Sequence, residues 1–430
     1  MAERGSLKGE PPYWFKLDNA AKIYPAVIGG DFTAVFRITV TLKDDVVYRH
    51  LSDAISSVAS RFPYFNVTLS AGAFWYYLEG IESKPRLYAE SGEKGIAFPL
   101  GSKKEVMYRI LVRKNRISVE FVHILTDGGG ALEFLKTLLF QYFKNAGVAY
   151  NLPEGIIDPD SHPLSEETED SFGKYFNKRI PATENPAMAL HLPFSLNSRP
   201  RFRTISGEMD STQIREKARE YGISITEYLA SVYLFVLQEI FLAGHEKRRN
   251  GIIRVQVPVN LRKMFPSKTM RNFSLFVMPE IDLRLGPLTF EEVANTVHHF
   301  LQLETTPKRI SRIITRNVGK EKLFIIRILP LFVKRFVLYL AYHTFGSGLC
   351  TGVLTNMGVI GLPSPLAEAV DSFSITPPPP NKKIKISCGI VSYNNKMRIT
   401  FASIAAERKL ESGFFRFLTD SGIRVKLLNE

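Results

Sequence analysis

Cysteine is nearly missing from this 430-residue chain: Cys350 and Cys388 are the only two. Two thiols cannot build a disulfide framework, so a disulfide-stapled secreted scaffold is excluded and a reducing compartment is expected. The first twelve residues carry no apolar run of the kind a secretory signal needs, which makes a cytoplasmic location the expectation. Long uninterrupted apolar runs are scarce as well. Segment 223–242 contains Glu227, Gln238 and Glu239 and reads as a buried core helix. Segment 323–342 contains Arg327, Lys334, Arg335 and Pro330, and the proline would interrupt a spanning helix. It reads as a domain-packing helix, with a peripheral membrane contact or a lipidic acceptor channel as the alternatives. Internal repeats, a Walker lysine and a dinucleotide fingerprint are all lacking, so Gly346-Ser-Gly-Leu-Cys-Thr-Gly352 is not read as a phosphate loop. His298-His299 has no third ligand at metal spacing, and no metal is expected.

What is present is ample core-forming material. Hydrophobic residues make up 45% and aromatics 12%, far from a disordered composition, and the length suggests two domains of about 150 to 220 residues. The net charge is +14, from 56 basic and 42 acidic residues, with local basic runs at Glu246-Lys-Arg-Arg249 and Lys382-Lys383. Such a surface attracts polyanions: nucleic acid, an anionic membrane, or a ligand with several phosphates.

Both structural periods are visible. Residues 32–42 alternate, with Ala34, Phe36, Ile38 and Val40 on one face and Thr33, Val35, Arg37 and Thr39 on the other, which predicts a strand. Residues 44–62 then place Val47, Leu51, Ala54, Val58 and Phe62 on one helical stripe that ends at Pro63. A hairpin is predicted at 106–122, and after Gly128-Gly-Gly130 a helix carries Leu132, Leu135, Leu139 and Tyr142. From 151 to 170 the periodicity fails and an acidic, solvated linker is predicted. Capping boxes at Ser224-Ile-Thr-Glu227 and Thr289-Phe-Glu-Glu292 announce two further helices. Strands are read at 252–259 and 275–285, a second hairpin at 384–402 around Asn394-Asn395, and a short helix at 412–419 before a terminal strand at 423–428. The division is an N-terminal domain (1–165), an irregular linker (166–200) and a C-terminal domain (201–430) in an α/β or α+β chain with mixed sheets flanked by helices.

One segment carries chemistry. His123 closes a predicted strand and is followed by Asp127-Gly-Gly-Gly130 and a helix. A side chain at a strand terminus reaches into a cleft while the sheet fixes its backbone. Neutral imidazole, titrating near pH ~6.5, can take a proton from a hydroxyl or amine.

His123-Ile-Leu-Thr-Asp127-Gly128 resembles the HxxxDG motif of the chloramphenicol acetyltransferase-like superfamily of CoA-dependent acyltransferases. Four more segments resemble its alcohol acetyltransferase-like bacterial branch, in that branch's order. They are Leu17-Asp-Asn-Ala-Ala-Lys-Ile-Tyr-Pro25, Val257-Pro-Val-Asn-Leu-Arg262 with Phe265-Pro266, Arg271-Asn-Phe273, and Leu354-Thr-Asn-Met-Gly358. The resemblance implies two similar α/β domains with a tunnel between them, open to CoA on one side and to the acceptor on the other. It implies that His123 is the general base for direct attack of an alcohol or amine on acyl-CoA, with acetyl-CoA the first donor to consider. No covalent acyl-enzyme and no permanently bound cofactor are implied. Asp127 would be structural and paired with Arg262, and Gly128 would permit the turn. Thr355 and Asn356 would line the reaction centre, the threonine donating to a developing oxyanion; a loop-capping role for the asparagine is the alternative.

Two departures from the superfamily's patterns bear on substrate. Val122 stands where condensation domains carry a second histidine, which counts against peptide synthesis from carrier-bound thioesters. The DFGWG motif of the plant enzymes is absent. Three rival readings stay open: a condensation-like transferase fed by a carrier protein, a non-catalytic binding protein of the same fold, and a nucleic-acid binder. The last rests on charge alone, and no nucleic-acid partner is expected.

Overall fold

The computed structural model describes residues 13–428 apart from positions 31, 149–150, 185, 200 and 245–250; the first twelve residues and the basic run at 246–249 lie outside them. In chain order the first part comprises β1 (Trp14–Lys16), α1 (Tyr24–Val27), β2 (Val35–Leu42), α2 (Tyr48–Arg61), β3 (Val67–Ala71) and β4 (Tyr76–Gly80). It continues with β5 (Leu87–Ala89), the hairpin β6 (Tyr108–Arg113) and β7 (Arg116–Val122), and α3 (Gly128–Asn145). After α4 (Ser171–Tyr175) come β8 (Arg203–Asp210), α5 (Ser211–Glu220), α6 (Ile225–Ala243), β9 (Ile252–Asn260), β10 (Ser274–Val277) and β11 (Glu280–Asp282). Four helices follow: α7 (Phe290–Glu304), α8 (Pro307–Glu321), α9 (Phe324–Ile328) and α10 (Leu331–Phe345). The chain closes through β12 (Gly352–Val359), α11 (Leu366–Ala369), β13 (Val370–Thr376), β14 (Ile386–Tyr393), β15 (Lys396–Ser403), α12 (Lys409–Asp420) and β16 (Lys426–Leu428).

Two mixed sheets organise these elements. The first runs β13-β2-β7-β6-β5, antiparallel except for β5 beside β6; the second runs β10-β9-β12-β14-β15-β8-β16, with β11 also on β9 and with β12 parallel to both neighbours. A small sheet, β1-β4-β3, flanks them. Strand β13 comes from the second half of the chain yet pairs with β2 of the first sheet, Thr376 opposite Arg37 and Val370 opposite Leu42. Its Phe373 ring also lies 5.2 Å from Tyr393 of β14, so this strand touches both sheets.

Local chemistry explains the elements that the sequence announced. Both capping boxes form: Ser224 N–H donates to Glu227 Oε2 (2.6 Å) and Thr289 N–H to Glu292 Oε2 (2.7 Å). These bonds satisfy donors that a helix start would otherwise leave unpaired. Helix α6 is the core helix expected, with Tyr228, Leu229, Tyr233, Leu234 and Leu237 buried. The β14–β15 turn uses Asn394 and Asn395 at φ 47° and 60°, a left-handed pair that asparagine tolerates. Lys114 takes the same region in the β6–β7 turn without a glycine.

Other expectations change. Strand β2 is buried on both faces, because Arg37 on its polar side pairs with Glu120 and Glu90 inside the protein rather than facing water. The single strand read at 275–285 is two, β10 and β11, separated by Met278-Pro279, since proline has no N–H for a ladder. Segment 166–170 is not solvated throughout: Glu166 is exposed, but Glu167 is buried and takes a two-pronged bond from Arg61 (2.6 and 2.8 Å) and a third from Tyr64 Oη (2.8 Å). Segment 323–342 is not a packed helix on all sides, as its largest apolar side chains lie on the surface.

Candidate active site

Strand β7 carries the site. Its last ladder pair is Val122 with Val35, and the next N–H, that of His123, still donates to Ala34 O at 2.9 Å. Phe121, two residues before His123, sits among Phe65 (5.2 Å), Tyr108 (5.0 Å) and Phe134 of α3 (5.4 Å). Each such ring buries enough apolar surface for about 1.5–3 kcal/mol. This cluster clamps both the strand that ends at His123 and the helix that starts at Gly128.

The His123 ring is half-buried, stacked against Tyr24 of α1 (5.5 Å, interplanar 8°) and tilted over Phe36 of β2 (4.5 Å). Its Nδ1 is buried with no hydrogen-bond partner. Burial pushes the imidazole pKa below its ordinary value, against the pull of the Asp127 carboxylate, the Thr126 backbone and the Asn272 side chain.

Asp127 caps α3. Its Oδ1 accepts from the N–H groups of Gly129 and Gly130 (both 3.1 Å), and its Oδ2 accepts from Arg262 Nη1 (2.9 Å) and from Phe273 N–H (2.8 Å). Burial alone would raise this carboxyl, but Arg262 and the backbone donors outweigh it and hold the pKa below the usual carboxylate value. Arg262 is itself fully engaged, with Nε donating to Thr269 O (3.1 Å) and Nη2 to Arg271 O (2.6 Å). The expected pair between Asp127 and Arg262 is therefore present, and it joins the end of the first sheet to the loop after β9 in the second.

The same loop grips the motif further along. Thr126 Oγ1 donates to Met270 O (2.5 Å), and Asn272 Nδ2 donates both to His123 O (2.9 Å) and to Asp18 Oδ2 (3.1 Å). Asp18 is wholly buried; its other oxygen accepts from Ala21 N–H (2.7 Å) and Arg271 Nη2 lies 3.6 Å away. Reading the residues one by one missed Asp18, Tyr24 and Asn272 as site components. The available signal was a polar side chain inside an apolar stretch, as in Leu17-Asp18-Asn19-Ala20-Ala21.

The glycines provide close approach rather than left-handed backbone freedom. Gly128, Gly129 and Gly130 form the first turn of α3 after an extended Asp127, and none of them has a positive φ. What they supply is room: a Cβ on Gly128 would lie 2.7 Å from Met357 Sδ, and one on Gly130 would overlap Thr126 Oγ1 and the Met270 carbonyl. Gly130→Ala should cost about 1–3 kcal/mol through overpacking. A thermal melt checks this; an unchanged melting temperature would mean that the two loops are not pressed together here.

Asn356 lies within β12, where the pairing with β14 shifts register, and uses both ends of its amide, Nδ2 donating to Thr226 Oγ1 (2.9 Å) and Oδ1 accepting from Gly358 N–H (2.8 Å). That is the loop-capping arrangement. Thr355 is half-buried opposite Gly389 of β14. Two surface cavities, of about 540 and 460 Å³, are lined respectively by residues around Phe176 and Arg316 and around Pro330 and Phe332; His123 lines neither. Among the described residues no three His, Cys, Asp or Glu side chains gather as a metal site.

Solved structures with this architecture carry a consistent message about fold. Polyketide synthase associated protein 5 from Mycobacterium tuberculosis matches with a TM-score of 0.59 at 16% identity, over 95% of this chain and 98% of that one. Trichothecene 15-O-acetyltransferase from Fusarium sporotrichioides gives 0.61 at 10% identity, over 97% and 96%. The condensation domain of the monacolin K polyketide synthase MokA gives 0.61 at 11% identity, over 96% and 97%. No family model matches the sequence, and no curated protein matches it. The fold is thus the two-lobed, mixed α/β fold of condensation domains and acetyltransferases, the chloramphenicol acetyltransferase-like type.

Proposed function

We propose that this protein is an acyltransferase that moves an acyl group from acyl-CoA to an alcohol or amine, with His123 as general base. The observation that carries this is the state of His123: a half-buried imidazole at a strand end, with its pKa lowered, on a loop immobilised by Asp127, Arg262 and Asn272. A neutral ring can accept the acceptor's proton as its oxygen or nitrogen attacks the thioester carbonyl; the CoA thiolate leaves, and the proton returns to it. Asp127 does not take part in that transfer, since all its bonds face Arg262 and backbone N–H groups. It positions the loop. Likeness to a trichothecene O-acetyltransferase supports an alcohol acceptor, and likeness to condensation domains keeps a carrier-protein thioester as the second donor reading.

The test is thiol release from acetyl-CoA and longer acyl-CoAs against a panel of alcohols and amines, with an acyl-phosphopantetheinyl carrier protein run in parallel. Release that depends on the acceptor supports the CoA reading; turnover with the carrier alone transfers support to the second. The pH profile follows from the lowered imidazole pKa. A base works only when unprotonated, so kcat/KM should be flat above pH ~7 and fall on the acid side, with its inflection below about 6.5. An inflection above 7 would contradict His123 as the base.

A further inference from the structure

Helix α10 is amphipathic the wrong way round. It buries Lys334 and exposes Phe332, Phe336 and Tyr339. Lys334 is 2% exposed, its Nζ donating to Phe74 O (2.8 Å) and lying 3.7 Å from the Trp75 ring centre, whereas Phe332 is 76% and Phe336 63% exposed. Helix α9 and its cap, next to α10 in the chain, also expose Leu323, Phe324 and Ile328, and α10 exposes Leu340. A helix that meets water on its outer side carries its charges there. So much exposed apolar surface on two successive helices marks an interaction face.

The charge around the face selects its occupant. Between 307 and 345 the sequence has nine Lys and Arg against a single carboxylate, Glu321. That carboxylate is already engaged by Lys22 and by Asn19 Nδ2. Lys320, Lys322, Arg327 and Arg335 are exposed around the apolar side chains. A basic rim around an aromatic face fits an anionic lipid surface, with the rings at the headgroup boundary and the cations at phosphate level. A second copy of the chain would bring two positive rims together.

We propose that the α9–α10 face docks on anionic phospholipid bilayers. The inner side of α10 carries Tyr342, 6.0 Å from Phe32, and α10 packs on α1, whose Tyr24 stacks on His123. Docking therefore sets the bilayer one helix away from that histidine, although the proposal does not depend on the acyl-transfer reading.

The experiment is co-sedimentation of the full chain with vesicles of phosphatidylcholine alone and with about one quarter phosphatidylglycerol, at low salt and at about 0.5 M NaCl. Wild type should bind the anionic vesicles about tenfold or more tightly than the neutral ones, and should lose most of that binding in high salt. The double variant Phe332→Ser/Phe336→Ser, and separately Arg327→Gln/Arg335→Gln, should each bind about tenfold more weakly. Both pairs are exposed, and circular dichroism and a thermal melt verify that the variants fold. Equal binding to both vesicle types, or binding unchanged in both variants, overturns the proposal. So does an absence of vesicle binding together with a dimer in sedimentation velocity that Phe332→Ser/Phe336→Ser converts to monomer.

Discussion

His123→Ala should lower acceptor-dependent thiol release by about 10²–10⁴-fold, the range a positioned general base contributes. The ring is set by its neighbours: Tyr24 and Phe36 on its faces and the clamped end of β7 behind it. Its backbone carbonyl is fixed by Asn272 and its N–H by Ala34, and neither bond is lost when the side chain is cut back. The variant should consequently fold, with an unchanged circular dichroism spectrum and a cooperative melt. Loss of turnover in a folded protein separates the chemistry from the scaffold. Full turnover in the variant would remove His123 from the mechanism.

Asp127→Ala should act on the scaffold first. The substitution strips one capping acceptor from two helix N–H groups, orphans the N–H of Phe273, and leaves the Arg262 guanidinium without its carboxylate. Breaking a buried pair by removing one partner costs about 3–5 kcal/mol, which would show as a melting temperature lowered by many degrees. Activity should fall with it, because the loop that aims His123 loosens. Asp127→Asn keeps an acceptor for the helix and should recover part of the stability. The pH dependence has a definite sign. A carboxyl whose folded pKa lies below its unfolded value of about 3.9 stabilises fully above that value, and its contribution is lost as pH falls through the folded pKa. A melting temperature for Asp127→Ala equal to wild type would mean that the contact between sheet and loop bears no load.

Much of this was legible in sequence, and what was not has physical causes. The capping boxes, α2, α6 and both hairpins follow from local chemistry that tertiary contacts reinforce. In α2, Leu51, Ala54 and Val58 are buried as the stripe requires, whereas Val47 falls on the N-cap and stays exposed. Strand β13 escaped because Ser372, Ser374 and Thr376 alternate with its apolar residues as they would on a solvated edge, yet all three are buried against the first sheet. At the site, the motif identified His123, Asp127 and, through resemblance, Arg262. Asp18 and Asn272 did not stand out because their meaning lies in a contact 254 positions apart in the chain. Segment 323–342 differs from the domain-packing helix expected for a related reason: composition says that it is apolar and basic, but only packing says that Lys334 points in and Phe332 and Phe336 point out.

The placement of β13 has a consequence for the order in which the chain can be completed on the ribosome. Strand β2 is an inner strand only once Val370–Thr376 has been added to its free side. Until then the first sheet ends in an open edge whose N–H and C=O groups can recruit any extended segment. Roughly 330 residues separate the two strands, so at roughly 5–20 residues per second the edge waits on the order of 20–70 s. The first sheet therefore keeps an unpaired β2 edge until Val370–Thr376 is in place.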